Sequence, residues 1–174
     1  RSRRRRMSEG ATIRVAWGFD AHKFDDNPPL ILAGVEVSDQ RGVAATSDGD
    51  VLAHAVTDAL LGACVLGDIG EHFPSDDPSL EGADSMSLLR QATTMGVAAG
   101  FRTLHADVTV VAEKVRVSPH RQRIRENLAE ALGVDPSVVS VKATSNDGMG
   151  FRGRDEGVAA MAVVTVGPVG SSES

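Results

Sequence analysis

Asp20 and His22 stand two residues apart in Gly18-Phe19-Asp20-Ala21-His22, at the end of a segment that alternates polar and apolar residues. In extended backbone, residues two apart share a side. A carboxylate oxygen and an imidazole nitrogen placed that way can grip one divalent ion. Asp50, His54 and Asp58 are spaced four apart, which puts them on one stripe of a helix. Beside that stripe runs an apolar face of Val51, Leu52, Ala55, Val56 and Ala59. The solvated edge of an amphipathic helix would also produce such a stripe. Asp20, His22 and His54 together would supply two nitrogens and one oxygen. The fourth tetrahedral position would stay open, as in catalytic zinc sites, although neutral imidazole suits several other divalent ions.

A third segment, Lys142-Ala143-Thr144-Ser145-Asn146-Asp147-Gly148-Met149-Gly150-Phe151-Arg152-Gly153-Arg154, combines hydroxyls, glycines and two arginines at a strand end. Backbone N–H groups, hydroxyls and guanidinium forks all suit phosphate oxygens. A plain glycine-rich hairpin has the same composition. The loop Gly67–Pro78 is acidic and rich in turn formers; it reads as a cover for a substrate or as a long polar turn, with His72 inside it. His105 and His120 read as surface residues. No Walker A motif or Gly-x-Ser-x-Gly elbow is present, and nothing around Cys64 marks a nucleophile.

Strands and helices must position these groups. Thr12–Gly18 sets Ile13, Val15 and Trp17 against Thr12, Arg14 and Ala16, the pattern of a half-buried strand. Leu30–Val37 reads as a short hairpin with Gly34 at or near its turn. Ser47-Asp48-Gly49-Asp50 predicts a helix start with a Ser cap and an acid three residues on, and the helix should run to about Leu66. Asp84–Ala99 predicts a second helix, opened by Asp84 or Ser85. Ser118-Pro119 opens a third, which Gly133 closes. Arg102–Val111, Val138–Ala143 and Gly157–Val166 read as strands. In the last, Val158, Ala160, Ala162, Val164 and Val166 share a face. This mixture predicts an α+β layered sandwich, a mixed β-sheet with helices packed on one face.

The length of 174 residues suits one domain. It is expected over residues 12–167, with a flexible basic leader at 1–11 and a flexible tail at 168–174. The leader holds five arginines ahead of Met7 and reads as a dispensable or non-native segment, or else as an arm for an acidic partner. A net charge of -6 and an aromatic content of 3% argue against nucleic-acid binding. With Cys64 as the one cysteine, no intrachain disulfide can form, and its apolar neighbours predict a buried structural thiol. No apolar run approaches the roughly 18–20 residues that span a bilayer. A cytoplasmic, bacterial-type location is expected, with a plastid as the other possibility.

Taken in order, Gly18-Phe19-Asp20-Ala21-His22, Ser47-Asp48-Gly49-Asp50 leading to His54 and Thr57–Gly62, Gly67-Asp68-Ile69-Gly70 with Phe73-Pro74, and Lys142-Ala143-Thr144 with Gly150-Phe151 and Gly153-Arg154 resemble the cyclodiphosphate synthases of the non-mevalonate isoprenoid pathway. The resemblance spans about Ile13 to Val166. It implies a homotrimer with active sites between neighbours. The implied substrate is 4-diphosphocytidyl-2-C-methyl-D-erythritol 2-phosphate, and the products are the 2,4-cyclodiphosphate and CMP. Asp20, His22 and His54 would hold Zn2+ or a similar ion. Asp147 would hold Mg2+ or Mn2+ bound with the substrate diphosphate. Asp68, Ile69, Gly70 and the segment Phe73–Asp77, with Ser75, Asp76 and Asp77 in it, would hold the methylerythritol diphosphate part, and Asp58 would also bind substrate. The stretch Ala112–Ser118, with Lys114 and Arg116, would form the cytidine pocket and phosphate clamp together with Thr144, Ser145, Asn146 and Asp147. Ser47, Phe151 and Arg154 would lie near the substrate, and Thr46 and Ser145 would act in the chemical step.

Four positions depart from the family pattern. Thr46 stands where the family usually has His, so a hydroxyl replaces a group that can carry charge. Thr144-Ser145-Asn146-Asp147 replaces Thr-Thr-Thr-Glu, Val115-Arg116 replaces Pro-Lys, and Ser75 replaces Asp. Thr46 leaves open a homologue that binds metal and nucleotide, or an isoprenoid diphosphate, without turnover. A zinc hydrolase with Asp58 as base is a third reading, but it leaves the 144–154 segment unexplained.

Overall fold

The computed structural model describes residues 12–170. The leader expected at 1–11 therefore lies outside the described residues. Strand β1 (Arg14–Asp25) is followed by a small hairpin, β2 (Leu30–Leu32) and β3 (Val35–Ser38), and by the short β4 (Gly42–Val43). Then come α1 (Val51–Cys64), α2 (Ile69–His72), α3 (Ser85–Ala98), β5 (Phe101–Val111), α4 (Arg121–Leu132), β6 (Val139–Thr144), α5 (Gly150–Gly153) and β7 (Gly157–Pro168). Five strands form one mixed sheet in the order β4-β1-β7-β5-β6. β7 is antiparallel to both β1 and β5, and β6 runs parallel to β5 after a crossover through α4.

The core lies against one face of that sheet. Val158, Ala160, Ala162, Val164 and Val166 of β7 are all buried, as the two-residue period predicts. They meet Ala106, Val108 and Val110 of β5 and the apolar sides of α1, α3 and α4 in one cluster. Each fully buried Val or Leu contributes about 1.5–3 kcal/mol. Cys64 is buried in the same cluster, and that burial pushes its thiol up from its ordinary range.

β1 inverts a naive reading of its alternation. Ile13, Val15 and Trp17 are 61–68% exposed, whereas Ala16 and Gly18 face the helices. The inward positions are small because α1 packs close: a Cβ on Gly62 would lie 3.4 Å from the Ala16 Cβ. The large apolar residues are therefore left on the outer face. β1 also continues past Gly18 to Asp25, so Asp20 and His22 share the inward side with Ala16 and Gly18.

The first helix starts later than its sequence suggests. Asp50 rather than Ser47 is the cap, accepting from Ala53 N–H at 3.0 Å. The helix ends at Cys64, two residues short of Leu66, because Val65 turns left-handed and its N–H bonds back to Gly62. The β2–β3 hairpin turns through Ala33 and Gly34, both with positive φ. Asp50 accepts from Gly34 N–H at 2.8 Å and Asn127 donates to Ala33 O at 2.8 Å, so two side chains hold that turn. Asp84 caps α3, and Gly133 closes α4, as the sequence predicts. Ser118-Pro119-His120 forms a 3-10 turn ahead of α4, in which His120 is half-buried rather than fully on the surface.

Candidate active site

Two elements converge to make the charged centre. Asp20 and His22 project from β1 toward α1, and His54 projects back from the second turn of α1. Asp20 Oδ2 lies 2.9 Å from His54 Nδ1 and 3.2 Å from His22 Nδ1. One ligand atom from each residue falls within 4.8 Å of the other two. The His22 Nδ1 atom is enclosed yet makes no hydrogen bond. An orphaned buried nitrogen beside a carboxylate oxygen and a second imidazole is a donor set that fits a divalent ion. Burial would push the Asp20 carboxyl up, but the two imidazoles beside it outweigh burial and hold it well below the usual carboxylate range. Burial would also push His54 down. The hydrogen bond to Asp20 and the negative charge of Asp20, Asp50 and Asp48 more than offset this, so its pKa is raised.

The stripe Asp50–His54–Asp58 separates into three jobs. Asp50 is fully buried, caps α1 and holds the Gly34 turn. That burial, only partly offset by backbone N–H donors, raises its pKa to about 6. His54 belongs to the charged centre. Asp58 accepts from Ile69 N–H at 3.2 Å and so ties the start of the acidic loop to α1. The loop is not a plain turn: it forms α2, capped by Asp68, which accepts from Glu71 N–H at 3.0 Å. His72 sits behind the loop, its Nε2 2.6 Å from Leu66 O.

Two serine side chains stand beside His54: Ser47 is among the residues expected near the substrate, whereas Ser85 reads in the sequence only as a possible helix start. Ser85 Oγ lies 2.9 Å from His54 Nε2 and also bonds the Asp48 carboxylate. Ser85 opens α3, thirty-one positions beyond His54, and only the fold brings them together. Ser47 Oγ stands farther from the same nitrogen, at 3.4 Å.

A cavity of about 370 Å³ opens over the centre, and His22, His54, Thr46, Ser47, Ile69, Gly70, Phe73 and Ser75 line it. Asp76 is exposed and does not line it, and Asp77 caps the turn Pro78–Leu80. Gly82 N–H bonds to Thr46 O at 3.0 Å, which fastens the far end of the loop to the segment that carries Thr46.

A second cavity of about 230 Å³ is lined by Ala112, Glu113, Arg116, Ser118, Thr144 and Ser145, among others, and shares no residue with the first. Asn146 N–H donates to Glu113 at 3.2 Å, joining the two segments that frame it. Asp147 is exposed at positive φ, and its N–H donates to Ser145 Oγ at 3.3 Å. Lys114 pairs with Asp155 at 3.3 Å and Arg154 with Glu156 at 2.6 Å. Phe151 shares a shallow depression with His22. Within one chain, the residues expected around the substrate thus form two groups rather than one. A further cavity of about 390 Å³, lined by Leu60, Val97, Phe101 and Leu132 among others, contains none of these residues.

A family model described as the YgbB family matches residues 13–167. The chain is 54% identical over 155 residues to the 2-C-methyl-D-erythritol 2,4-cyclodiphosphate synthase of Alkalilimnicola ehrlichii, covering 88% of this chain and 94% of that protein. It is similar to the structure of the bifunctional IspDF from Campylobacter jejuni, with a TM-score of 0.89 and 41% identity over 92% of this chain. It spans 43% of the length of that bifunctional protein. It is also similar to a structure of Plasmodium falciparum IspF in complex with CDP, with a TM-score of 0.79 and 28% identity, covering 91% of this chain and 97% of that one.

Proposed function

The chain belongs to the YgbB family, and we propose on that premise that it is a 2-C-methyl-D-erythritol 2,4-cyclodiphosphate synthase. Its substrate would be 4-diphosphocytidyl-2-C-methyl-D-erythritol 2-phosphate. The observation that carries the reading is the Asp20–His22–His54 centre, whose two imidazoles line a cavity together with Ile69, Gly70 and residues 73–75 of the acidic loop. A binding-only homologue, which rested on Thr46, gains no support from the relatives, and water-activating hydrolysis leaves the second cavity without a role.

The reaction needs no protein nucleophile. An oxygen of the 2-phosphate forms a bond to the β-phosphorus, the bond from that phosphorus to the bridging oxygen breaks, and CMP leaves with that oxygen. The protein has to fold the substrate so that the attacking and leaving oxygens are in line, and it has to offset crowded negative charge. Asp20, His22 and His54 would hold a divalent ion, for which Zn2+ fits the donor set, and the ion would supply Lewis-acid polarisation of a phosphate oxygen. Backbone and side-chain groups of Asp68, Ile69, Gly70 and Phe73–Asp77 would seat the methylerythritol diphosphate, with Ser47 and Asp58 beneath them. Thr46 lines this cavity and would donate a hydrogen bond to phosphate in the step. Ala112–Ser118 and Thr144–Asp147 would hold cytidine and its phosphate, with Ser145 as a hydroxyl donor and Lys114, Arg116, Phe151 and Arg154 at the periphery. Asp147 offers an oxygen ligand for Mg2+ or Mn2+ bound with the diphosphate.

Two separate cavities in one chain favour a site completed by a second copy. The outer sheet face favours the same reading: Ile13, Val15, Trp17 and Phe19 are exposed together with Met161 and Val163 of the adjacent strand. A homotrimer of layered α+β subunits, packed sheet to sheet about a three-fold axis, would cover that face. No helix among the described residues is long and apolar enough to cross a membrane. The cytoplasm is the proposed site of action.

Phosphorus NMR of the purified protein with the cytidyl substrate and Mg2+, with and without a zinc chelator, tests the assignment. CMP and a cyclic diphosphate should appear, and chelation should stop both. An open-chain diphosphate in place of the cyclic one would move the protein to the hydrolases.

A further inference from the structure

We propose that Ser85 and Asp48 form a positioning relay that fixes the tautomer of His54 and so decides which ring nitrogen faces the ion. This inference rests on the reading of Asp20, His22 and His54 as a metal site. Asp48 is held from three directions. Its Oδ2 accepts from Ser85 N–H at 3.0 Å, its Oδ1 accepts from Asp50 N–H at 3.2 Å, and Oδ1 also accepts from the Ser85 hydroxyl. Ser85 itself is 0% exposed, so no solvent competes for its oxygen.

A serine hydroxyl has one proton to donate. The carboxylate of Asp48 only accepts, so that proton is committed to it. Toward His54, Ser85 Oγ can therefore only accept, and the contact of 2.9 Å to Nε2 must be an Nε2–H donation. The competing Ser47 hydroxyl lies farther off at 3.4 Å and also receives Gly49 N–H. With Nε2 keeping its proton, Nδ1 is the nitrogen that would give up its own, now shared with Asp20 Oδ2 at 2.9 Å, to offer a lone pair to the ion, the proton being released on metal binding. The other tautomer would turn an N–H toward the ion position and two lone pairs toward each other across the Ser85 contact. Metal-bound histidines are generally oriented by a partner on the second nitrogen. Here that partner comes from a different helix, α3, and its own acceptor comes from the segment that leads into α1. The relay thereby couples the docking of α3 to the chemistry of α1.

Two measurements test this. Long-range nitrogen–proton NMR of the zinc-loaded wild-type protein reads the tautomer directly, and His54 should show a protonated Nε2 and a metal-bound Nδ1. Zinc competition against a chromophoric chelator should then show Ser85→Ala weakened 10–100-fold, the usual cost of losing such a partner. Asp48→Asn should lose less, because its amide oxygen still accepts from Ser85. The NMR reading needs no variant and stands even if one folds poorly. A protonated Nδ1 in wild type would overturn the relay, as would unchanged zinc affinity in Ser85→Ala. A wild-type protein that takes up no zinc would instead defeat the metal reading itself.

Discussion

Gly18 lies directly beneath Ala55: a Cβ built on Gly18 would stand 2.2 Å from the Ala55 carbonyl oxygen and 2.7 Å from Ala59 N. Both neighbours are helix backbone, which cannot swing aside as a side chain can. This close approach brings β1 and α1 near enough for His54 to reach Asp20. Gly18→Ala must push the helix outward. Overpacking of this kind costs roughly 1–3 kcal/mol, so the melting temperature should fall. A shift of even part of an ångström also separates donors that now lie within 4.8 Å of one another. Zinc affinity should therefore drop along with stability, and a Gly18→Ala protein of wild-type melting temperature and zinc affinity would contradict this account.

On the proposed function, Asp58 would support substrate binding through the loop rather than through the metal. Its carboxylate holds Ile69 N–H, and a hydrogen bond to a charged group is worth about 1.5–3 kcal/mol. Asp58→Ala should release the start of α2 and raise KM by about tenfold, while bound zinc per chain stays unchanged. Asp58→Asn keeps an acceptor and should fall between. Steady-state kinetics set beside metal analysis separates the two effects. Loss of zinc in Asp58→Ala would show that Asp58 serves the metal centre instead.

Much of this was legible in the residues, for identifiable reasons. The period of two in β7 survives because every second side chain meets the helices. Asp20 and His22 act together because the chain stays extended through them. The spacing of Asp50, His54 and Asp58 revealed a shared stripe but not three different jobs, since an i,i+4 spacing is blind to what approaches each position from elsewhere. The apolar alternation of β1 identified a strand without identifying its inner side. Hydrophobicity normally marks the core, and here close helix packing required Ala16 and Gly18 inside. Ser85 was beyond reach because its partner is thirty-one residues away and a lone serine at a helix start reads only as a cap.

Asp50 should leave a pH signature on stability. Its pKa in the fold is about 6 against 3.8 for the free side chain, because burial disfavours the charge. The folded protein thus holds a proton that the unfolded chain has released between those values. The stabilising contribution is complete below about pH 4 and is lost as pH rises through about 6, a change of roughly 3 kcal/mol. Asp50→Asn cannot titrate. Unfolding free energies of the two proteins, measured from pH 4.5 to 7.5, should therefore converge or cross in favour of the variant by roughly 2 kcal/mol as pH rises. Parallel curves would mean that Asp50 keeps an ordinary pKa despite its burial.

Trp17 is the one tryptophan of the chain and is 68% exposed at the centre of the outer apolar face. In the sheet register it pairs with Val163, next to Phe19 opposite Met161, so one side chain reports on the whole patch. If copies pack through this face, Trp17 fluorescence should be blue-shifted in the native protein and should move to the red on dilution or on mild dissociation. The native mass should be near three times the 18.2 kDa of one chain. Trp17→Glu places a charge where an apolar contact is needed, and an unpaired buried charge is strongly unfavourable. The variant should sediment as a smaller species and release little CMP, because the two cavities could no longer face each other across a junction. It should still bind zinc, since Asp20, His22 and His54 all belong to one chain. A wild-type protein that sediments at the mass of one chain and turns over at full rate would remove the need for a second copy and require the two cavities to meet within a single subunit.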